Sequence, residues 1–213
     1  MKHPAKFSDN LLDVIDEWLE GAEGILLDPF AGTGKVHRLA TSKLYTVGVE
    51  LEPEWAELHP RTIIGNSHGK LPFRDNSIDY IVTSPVYGNR MSDHHEAKDA
   101  SYRNTYRHTI GRPLHPANSG QLQWGEKYKD FHIKCWWEVT RVTKPDASFI
   151  LNTSDHIRKG ELQPVTNWHQ KVLEFFGWEI KTSQDCTTRR NRAGANSQIR
   201  PSSENLTHFV RPA

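Results

Sequence analysis

Residues 28–35, DPFAGTGK, place a carboxylate and two glycines in one short loop after the apolar run GILL. Two phosphate-binding patterns are excluded there by single residues. A Walker loop needs glycine where Pro29 stands, and a dinucleotide fingerprint needs glycine or alanine where His37 stands. What remains is a pair, Gly32 and Gly34, that lets the backbone approach a ligand closely, beside a carboxylate, Asp28, that suits a cationic ammonium better than a phosphate. Sixteen and eighteen residues beyond Gly34 stand Glu50 and Glu52, closing a second apolar run, YTVGVELE. An acid in that place can accept from both hydroxyls of a ribose.

An ammonium at one end, a ribose at the other and no phosphate describe a nucleoside with an amino-acid tail, and S-adenosylmethionine has that form. A further segment, TSPVYGNR (83–90), follows the run DYIV and sets a hydroxyl, a proline, an aromatic ring and a glycine at one exit.

The elements that must position these segments alternate along the chain. The spacing of Leu11, Leu12, Ile15 and Leu19 predicts a helix over 9–20 that starts at Ser8 or Asp9 and stops at Gly21. Strands are predicted over 24–30, 45–52, 62–67, 78–84, 148–154, 178–184 and 206–212, with helices over 36–42, 53–59, 131–143 and 166–178. Such alternation calls for a mostly parallel α/β sheet with helices on both faces. The last two strands have no helix between them and are expected antiparallel. In a sheet of this kind ligands bind beyond the carboxyl ends of the strands. That rule gathers DPFAGTGK, GVELE, GNS and TSPVYGNR around one crevice.

Together these segments resemble the amino-group DNA methyltransferases, which modify the exocyclic nitrogen of cytosine or adenine. The resemblance lies in a DPF-x-G-[ST]-G loop, an acid after the second strand and a motif close to [SND]-P-P-[YF] after the fourth. His3-Pro4-Ala5-Lys6-Phe7 is similar to the family's HP-x-x-[FKP] segment, and LPFRDNSIDYIVTSP and TRVTKPDASFILNTS match its flanking regions, so that about 1–90 and 131–213 are covered. It implies a Rossmann-like class I methyltransferase fold with a seven-stranded sheet, and S-adenosylmethionine as the cofactor. By the same resemblance Asp28 takes the methionine amino group, Glu50 the ribose and Asn66 the adenine amino group. Phe30 packs near the adenine, Gly32 and Gly34 allow the close approach, and His3, Pro4, Lys6 and Phe7 close over the methionine part.

Ser84, Pro85 and Tyr87 are then the catalytic set. Hydrogen bonds from the two N–H groups of the target amine to Ser84 Oγ and the Pro85 carbonyl favour a pyramidal nitrogen whose lone pair faces the methyl donor, so orientation supplies most of the acceleration. Tyr87 stacks on a base flipped out of double-stranded DNA, and Gly88 clears room for it. Val86 departs from the family's second proline, and Asn66 stands where an acid is common. Serine at 84 resembles the cytosine-N4 subset, in keeping with a role in restriction-modification or its relatives.

The remaining features bound this reading. The 213 residues suit a single domain. Cys135 and Cys186 form no disulfide framework, and the chain shows no signal-like or membrane-spanning run, so a soluble cytoplasmic protein is expected. The twelve histidines show no zinc-like spacing, and no metal is expected.

Net charge is only +1, but residues 88–134 and 181–213 are basic. In the first, a substrate-facing insert, Arg90, Arg103, Arg107, Arg112, Lys127, Lys129 and Lys134 alternate with Tyr102, Tyr106, Trp124 and Tyr128, a mixture suited to phosphate contacts and base stacking. In the second, 185–205 is expected to be a mobile basic loop with Arg189, Arg190 and Arg192 toward phosphates. Two alternatives remain open: an RNA base methyltransferase, and a cofactor-binding module without catalysis. Monomer and homodimer are equally open.

Overall fold

The computed structural model describes residues 7–88, 106–188, 199 and 201–213, and the side chains of 107 and 108 are not described. The chain begins with α1 (Asp9–Trp18), whose Leu11, Leu12 and Ile15 fall on one face and are buried. Then come β1 (Gly24–Asp28), β2 (Leu44–Glu50), α2 (Pro53–Ala56), β3 (Thr62–Ile64), β4 (Ile78–Thr83) and α3 (Tyr106–Ile110). After these follow α4 (Glu126–Val142), β5 (Thr143–Thr153), β6 (His156–Arg158), β7 (Glu161–Gln163), α5 (Val165–Phe175), β8 (Glu179–Thr187) and β9 (Ser203–Val210).

Seven strands form one sheet in the order β3-β2-β1-β4-β5-β9-β8. The first five are parallel, and β9 runs antiparallel to both of its neighbours, as the missing helix between the last two strands predicts. Side-chain alternation divides the core between the faces. Leu27, Ile81, Phe149, Leu151 and Phe209 pack with Trp136, Val139 and Val142 of α4 and Leu173 of α5. Leu26, Val82, Ile150 and Leu206 pack with Leu11, Leu12 and Ile15 of α1. Helices therefore cover both faces.

Four local expectations are corrected. The helix predicted over 36–42 is a 3-10 segment, Lys35–Leu39, that follows Gly34 in the left-handed region (φ 74°). It is stopped by Thr41, whose Oγ1 accepts from the backbone N–H groups of Lys43 and Leu44. The buried His37 ring bonds downward to Thr46 and Thr62, which ties this segment to the sheet instead of a longer helix. Second, α4 begins at Glu126 instead of 131, so the last residues assigned to the insert belong to the core layer.

Third, β5 starts directly after α4, and the register between β4 and β5 shifts, Ile78 facing Thr143 but Tyr80 facing Ser148. Pro145 and Asp146 lie within this irregularity, Asp146 at φ 61°. Last, the β6–β7 hairpin is absent from the sequence reading. Its turn residues Lys159 and Gly160 both have positive φ, the requirement of the tight hairpin turn, but its three-residue strands are too short to show a period.

Candidate active site

The exits of β1 to β4 are sewn into one frame by bonds that the strands themselves do not make. Ala31 N donates to Val49 O, and Gly65 N to Glu50 O. Gly32 N donates to Glu50 Oε2 at 2.9 Å, and Ser67 Oγ donates to the Pro29 carbonyl. Thr83 Oγ1, at the end of β4, donates to Asp28 Oδ1 at 2.6 Å. The sequence rule that collected four segments around one crevice is met by four loops that hold one another.

Asp28 is 1% exposed and accepts both Phe30 N and Thr83 on Oδ1. Burial pushes its carboxyl up to about 7, against those two hydrogen bonds, with the nearby Glu50 charge adding to the rise. Glu50 accepts Gly32 N on one oxygen and the N–H groups of Leu51 and Glu52 on the other. Burial raises it too, to about 7. Two carboxyls titrating near neutrality in one crevice are poised to ionise when a cation arrives.

The glycine loop is as tight as its residues require. Gly32 and Gly34 have φ 51° and 74°. A Cβ on Gly34 would lie 2.8 Å from His37 Cδ2 and 2.9 Å from His59 Cβ. Lys35 Nζ donates to the Phe7 carbonyl and to Asp9, which moors the N-terminal segment at this loop. The Phe7 side chain itself lies in the apolar layer with α1. The Phe30 ring packs against Phe131, His132 and Trp136. Asn66 is half-buried, its Oδ1 accepting from His68 N.

At the β4 exit, Ser84 Oγ lies 2.9 Å from Tyr87 Oη, which donates to Glu204 Oε2 of β9 at 3.2 Å. Asn152, at the end of β5 and 1% exposed, points its Nδ2 at Ser84 Oγ, Tyr87 Oη and Glu204 Oε2, at 3.2, 3.0 and 2.7 Å. The buried Pro85 and the Val86 carbonyl are fixed from below. Trp136 Nε1 donates to His169 Nδ1, so the proton of the neutral ring sits on Nε2 and points at Tyr128 Oη, which donates to Val86 O at 2.6 Å. Burial holds His169 well below the ordinary histidine range, in keeping with that neutral tautomer.

Asn152, Glu204 and Thr83 are given no role by the sequence, and Tyr128 is expected there only as a stacking residue of the insert. The one available signal was the run of polar residues Asn152-Thr153-Ser154, all buried, directly after the apolar FIL.

In its described part, the insert turns several of its basic and aromatic side chains to internal contacts. Glu52, fully buried, accepts from His115 N and Asn118 Nδ2 and pairs with Arg112 at 2.8 Å, and Arg112 also binds Glu54. Arg112 therefore spends its charge on two carboxylates of the same chain. Tyr106 and Tyr128 are buried and offer no stacking face, and Lys129 pairs with Glu126. Val86 packs against the cluster of Trp55, Tyr106 and Leu114, which gives the departure from proline a use as an anchor for the insert.

Nor does Gly88 clear space for a base. A Cβ there would lie 2.6 Å from Trp124 N, which donates to the Gly88 carbonyl. His3, Pro4, Lys6, Arg90, Arg103, Arg189, Arg190 and Arg192 lie outside the described residues, as do the side chain of Arg107 and most of the loop between β8 and β9. Among the described residues no cluster of acidic, histidine or cysteine side chains could hold a metal, and no helix is long and apolar enough to cross a membrane.

No protein-family model matches the sequence, and no curated protein matches it. Solved structures do match in fold. An S-adenosylmethionine-dependent methyltransferase from Methanosarcina mazei superposes with a TM-score of 0.59 at 13% identity, covering 98% of this chain and 99% of that one. Magnesium protoporphyrin IX methyltransferase from Synechocystis, solved with bound S-adenosylmethionine, gives 0.55 at 13% over 95% and 78%. The 4+2 cyclase SpnF gives 0.60 at 12% over 100% and 85%. The fold is the class I methyltransferase fold. One of these three neighbours is a cyclase, so the reaction must be argued from the site.

Proposed function

We propose that this chain is an S-adenosylmethionine-dependent methyltransferase acting on the exocyclic amino nitrogen of a base flipped out of double-stranded DNA, with cytosine N4 favoured over adenine N6. The observation that carries the reading is the bond between Thr83 and Asp28. It joins the carboxylate suited to an ammonium to the residue directly before Ser84, so the donor side and the acceptor side share one rigid frame.

The residues fit the cofactor. Both bonds described on Asp28 fall on Oδ1, which leaves Oδ2 for the methionine ammonium. Glu50 stands where the ribose hydroxyls are expected, and the glycine loop has no room for a side chain at Gly34. When bound, S-adenosylmethionine supplies an electrophilic methyl group on a sulfonium sulfur.

The chain supplies orientation. Ser84 Oγ and the Pro85 carbonyl accept the two amine N–H groups and turn the nitrogen lone pair toward the donor. The Val86 carbonyl, held by Tyr128, keeps that loop from drifting. The Tyr87 hydroxyl, tied to Asn152 and Glu204, fixes the plane that its ring offers the base. Arginines of the insert and of the loop between β8 and β9 are the proposed phosphate contacts, with Arg112 excepted because Glu52 and Glu54 hold it.

The test is nuclease digestion of total DNA and RNA from cells expressing the protein, read by mass spectrometry. The expected result is N4-methylcytosine or N6-methyladenine in DNA that disappears with Ser84→Ala. N2-methylguanine or another methylated base confined to RNA would overturn the choice of DNA.

A further inference from the structure

The cluster at the β4 exit contains more than the hydroxyl, carbonyl and ring that the sequence motif supplies. Counting its hydrogens gives it a direction. Glu204 Oε2 receives the Tyr87 O–H, and a phenol has only one proton, so Ser84 must be the donor in the Ser84–Tyr87 bond. Asn152 Nδ2 has two protons for three acceptors, and its shortest contact, 2.7 Å, is to Glu204. The reversed amide would set a carbonyl against that carboxylate. The observed orientation leaves Asn152 Oδ1 buried without a hydrogen-bond partner, a desolvation cost that an ordinary packing position would avoid. Every donor in the chain therefore points from Ser84 toward Glu204, and the Ser84 oxygen keeps acceptor capacity for an incoming N–H.

We infer that Ser84, Tyr87 and Glu204 form a one-way proton relay that carries the amine proton away from the methylated nitrogen, with Asn152 holding the three in line. The inference rests on the amino-transfer reading above. In the balanced step the amine lone pair forms the N–C bond as the C–S bond breaks, its electrons remaining on sulfur. The cationic nitrogen then gives one proton to Ser84 Oγ, the Ser84 proton passes to Tyr87 Oη, and the Tyr87 proton passes to Glu204. The positive charge that entered on the sulfonium is cancelled at Glu204, which ends as a neutral acid and, being half-buried, can return its proton to solvent.

The 3.2 Å Tyr87–Glu204 contact is longer than an ordinary O–H···O bond, as catalytic contacts often are before the substrate arrives. Among the described residues, the groups that face Glu204 from other elements include Tyr87 on the β4 exit, Asn152 on β5 and, on β8, Cys186 directly opposite with Asp185 beside it. The Cys186 thiol is pushed up by burial first and then by Asp185 and Glu204, so it stays protonated near neutrality and does not compete as the acceptor.

The experiment measures single-turnover methyl transfer to unmodified genomic DNA across pH, at saturating S-adenosylmethionine, for wild type, Glu204→Gln and Glu204→Asp. Calorimetric cofactor affinity serves as the check on folding. Glu204→Gln is expected to lose about tenfold or more in rate with a flattened pH profile and cofactor affinity within about twofold of wild type, whereas Glu204→Asp recovers part of the rate and the sloping profile. A cofactor-free measurement accompanies it: the Tyr87 Cζ resonance, followed by NMR at fixed pH, should move in Glu204→Gln, because the carboxylate that accepts the Tyr87 hydroxyl has been replaced by a neutral amide.

A Glu204→Gln enzyme with wild-type rate and profile, or an unmoved Tyr87 resonance in Glu204→Gln, overturns the relay alone. Wild-type protein that methylates no nucleic acid overturns the amino-transfer reading and the relay with it.

Discussion

The two halves of the crevice are built in opposite ways. On the proposed donor side, at β1 and β2, backbone N–H groups meet carboxylates: Glu50 alone takes Gly32, Leu51 and Glu52, the last two being the residues that follow it in the chain. On the proposed acceptor side, at β4, β5 and β9, side chains meet side chains, and Tyr87 reaches Glu204 across 117 residues of sequence. Backbone cradles suit a ligand whose shape never changes, because no rotamer can drift. Side-chain networks suit a site that must shift protons, because hydroxyls and carboxylates can reverse their bonds.

The largest effect should come from loosening the insert from the β2 exit that anchors it. Glu52→Ala removes the acceptor for His115 N and Asn118 and leaves Arg112 with Glu54 alone, and is expected to cost about 3 kcal/mol or more of stability. The accompanying sign, seen by limited proteolysis, should be new cleavage within 106–125. A fall in melting temperature without that cleavage would mean that Glu52 does not anchor the insert.

Next, Asp28→Ala should weaken S-adenosylmethionine about a hundredfold by calorimetry, equivalent to about 3 kcal/mol. Ser84→Ala should do the reverse, lowering turnover about tenfold to a hundredfold with cofactor affinity within about twofold of wild type. If both variants failed in the same way, the division between donor and acceptor sides would be wrong.

The smallest effect concerns pH. Asp28 and Glu50 are raised from 3.8 and 4.5 to about 7 in the folded protein. Between about pH 4 and 7 the folded form holds protons that the unfolded form has released, so the stability of the cofactor-free protein should fall as pH rises through that window. Asp28→Asn should therefore be more stable at pH 8, by an amount on the order of 1–2 kcal/mol and with a correspondingly higher melting temperature, while losing cofactor. A variant less stable than wild type at pH 8 would show that the hydrogen bonds to Asp28 outweigh its desolvation.

Most of the fold, and the meeting of the β1 and β2 exits, are legible in the sequence. Apolar runs locate the strands, and DPFAGTGK and VGVE carry their chemistry within a few consecutive residues. Asn152 and Glu204 are illegible for the converse reason: each is a polar residue near one end of an apolar strand, and only sheet order brings them to Ser84. Composition misleads in the insert, where it cannot distinguish an arginine turned to solvent from Arg112 between two carboxylates, nor an exposed tyrosine from the buried Tyr106 and Tyr128. The short helix after Gly34 is overridden by tertiary contacts of His37 that no local period encodes.

Calorimetric titration of S-adenosylmethionine at pH 6 and pH 8, each in two buffers of different ionisation enthalpy, tests most directly whether two buried acids receive a cationic donor. Binding should be about tenfold or more tighter at pH 8, with proton release at pH 6 as Asp28 and Glu50 ionise against the ligand. Affinity that is absent at both pH values, or that strengthens toward acid, would contradict the assignment of this crevice.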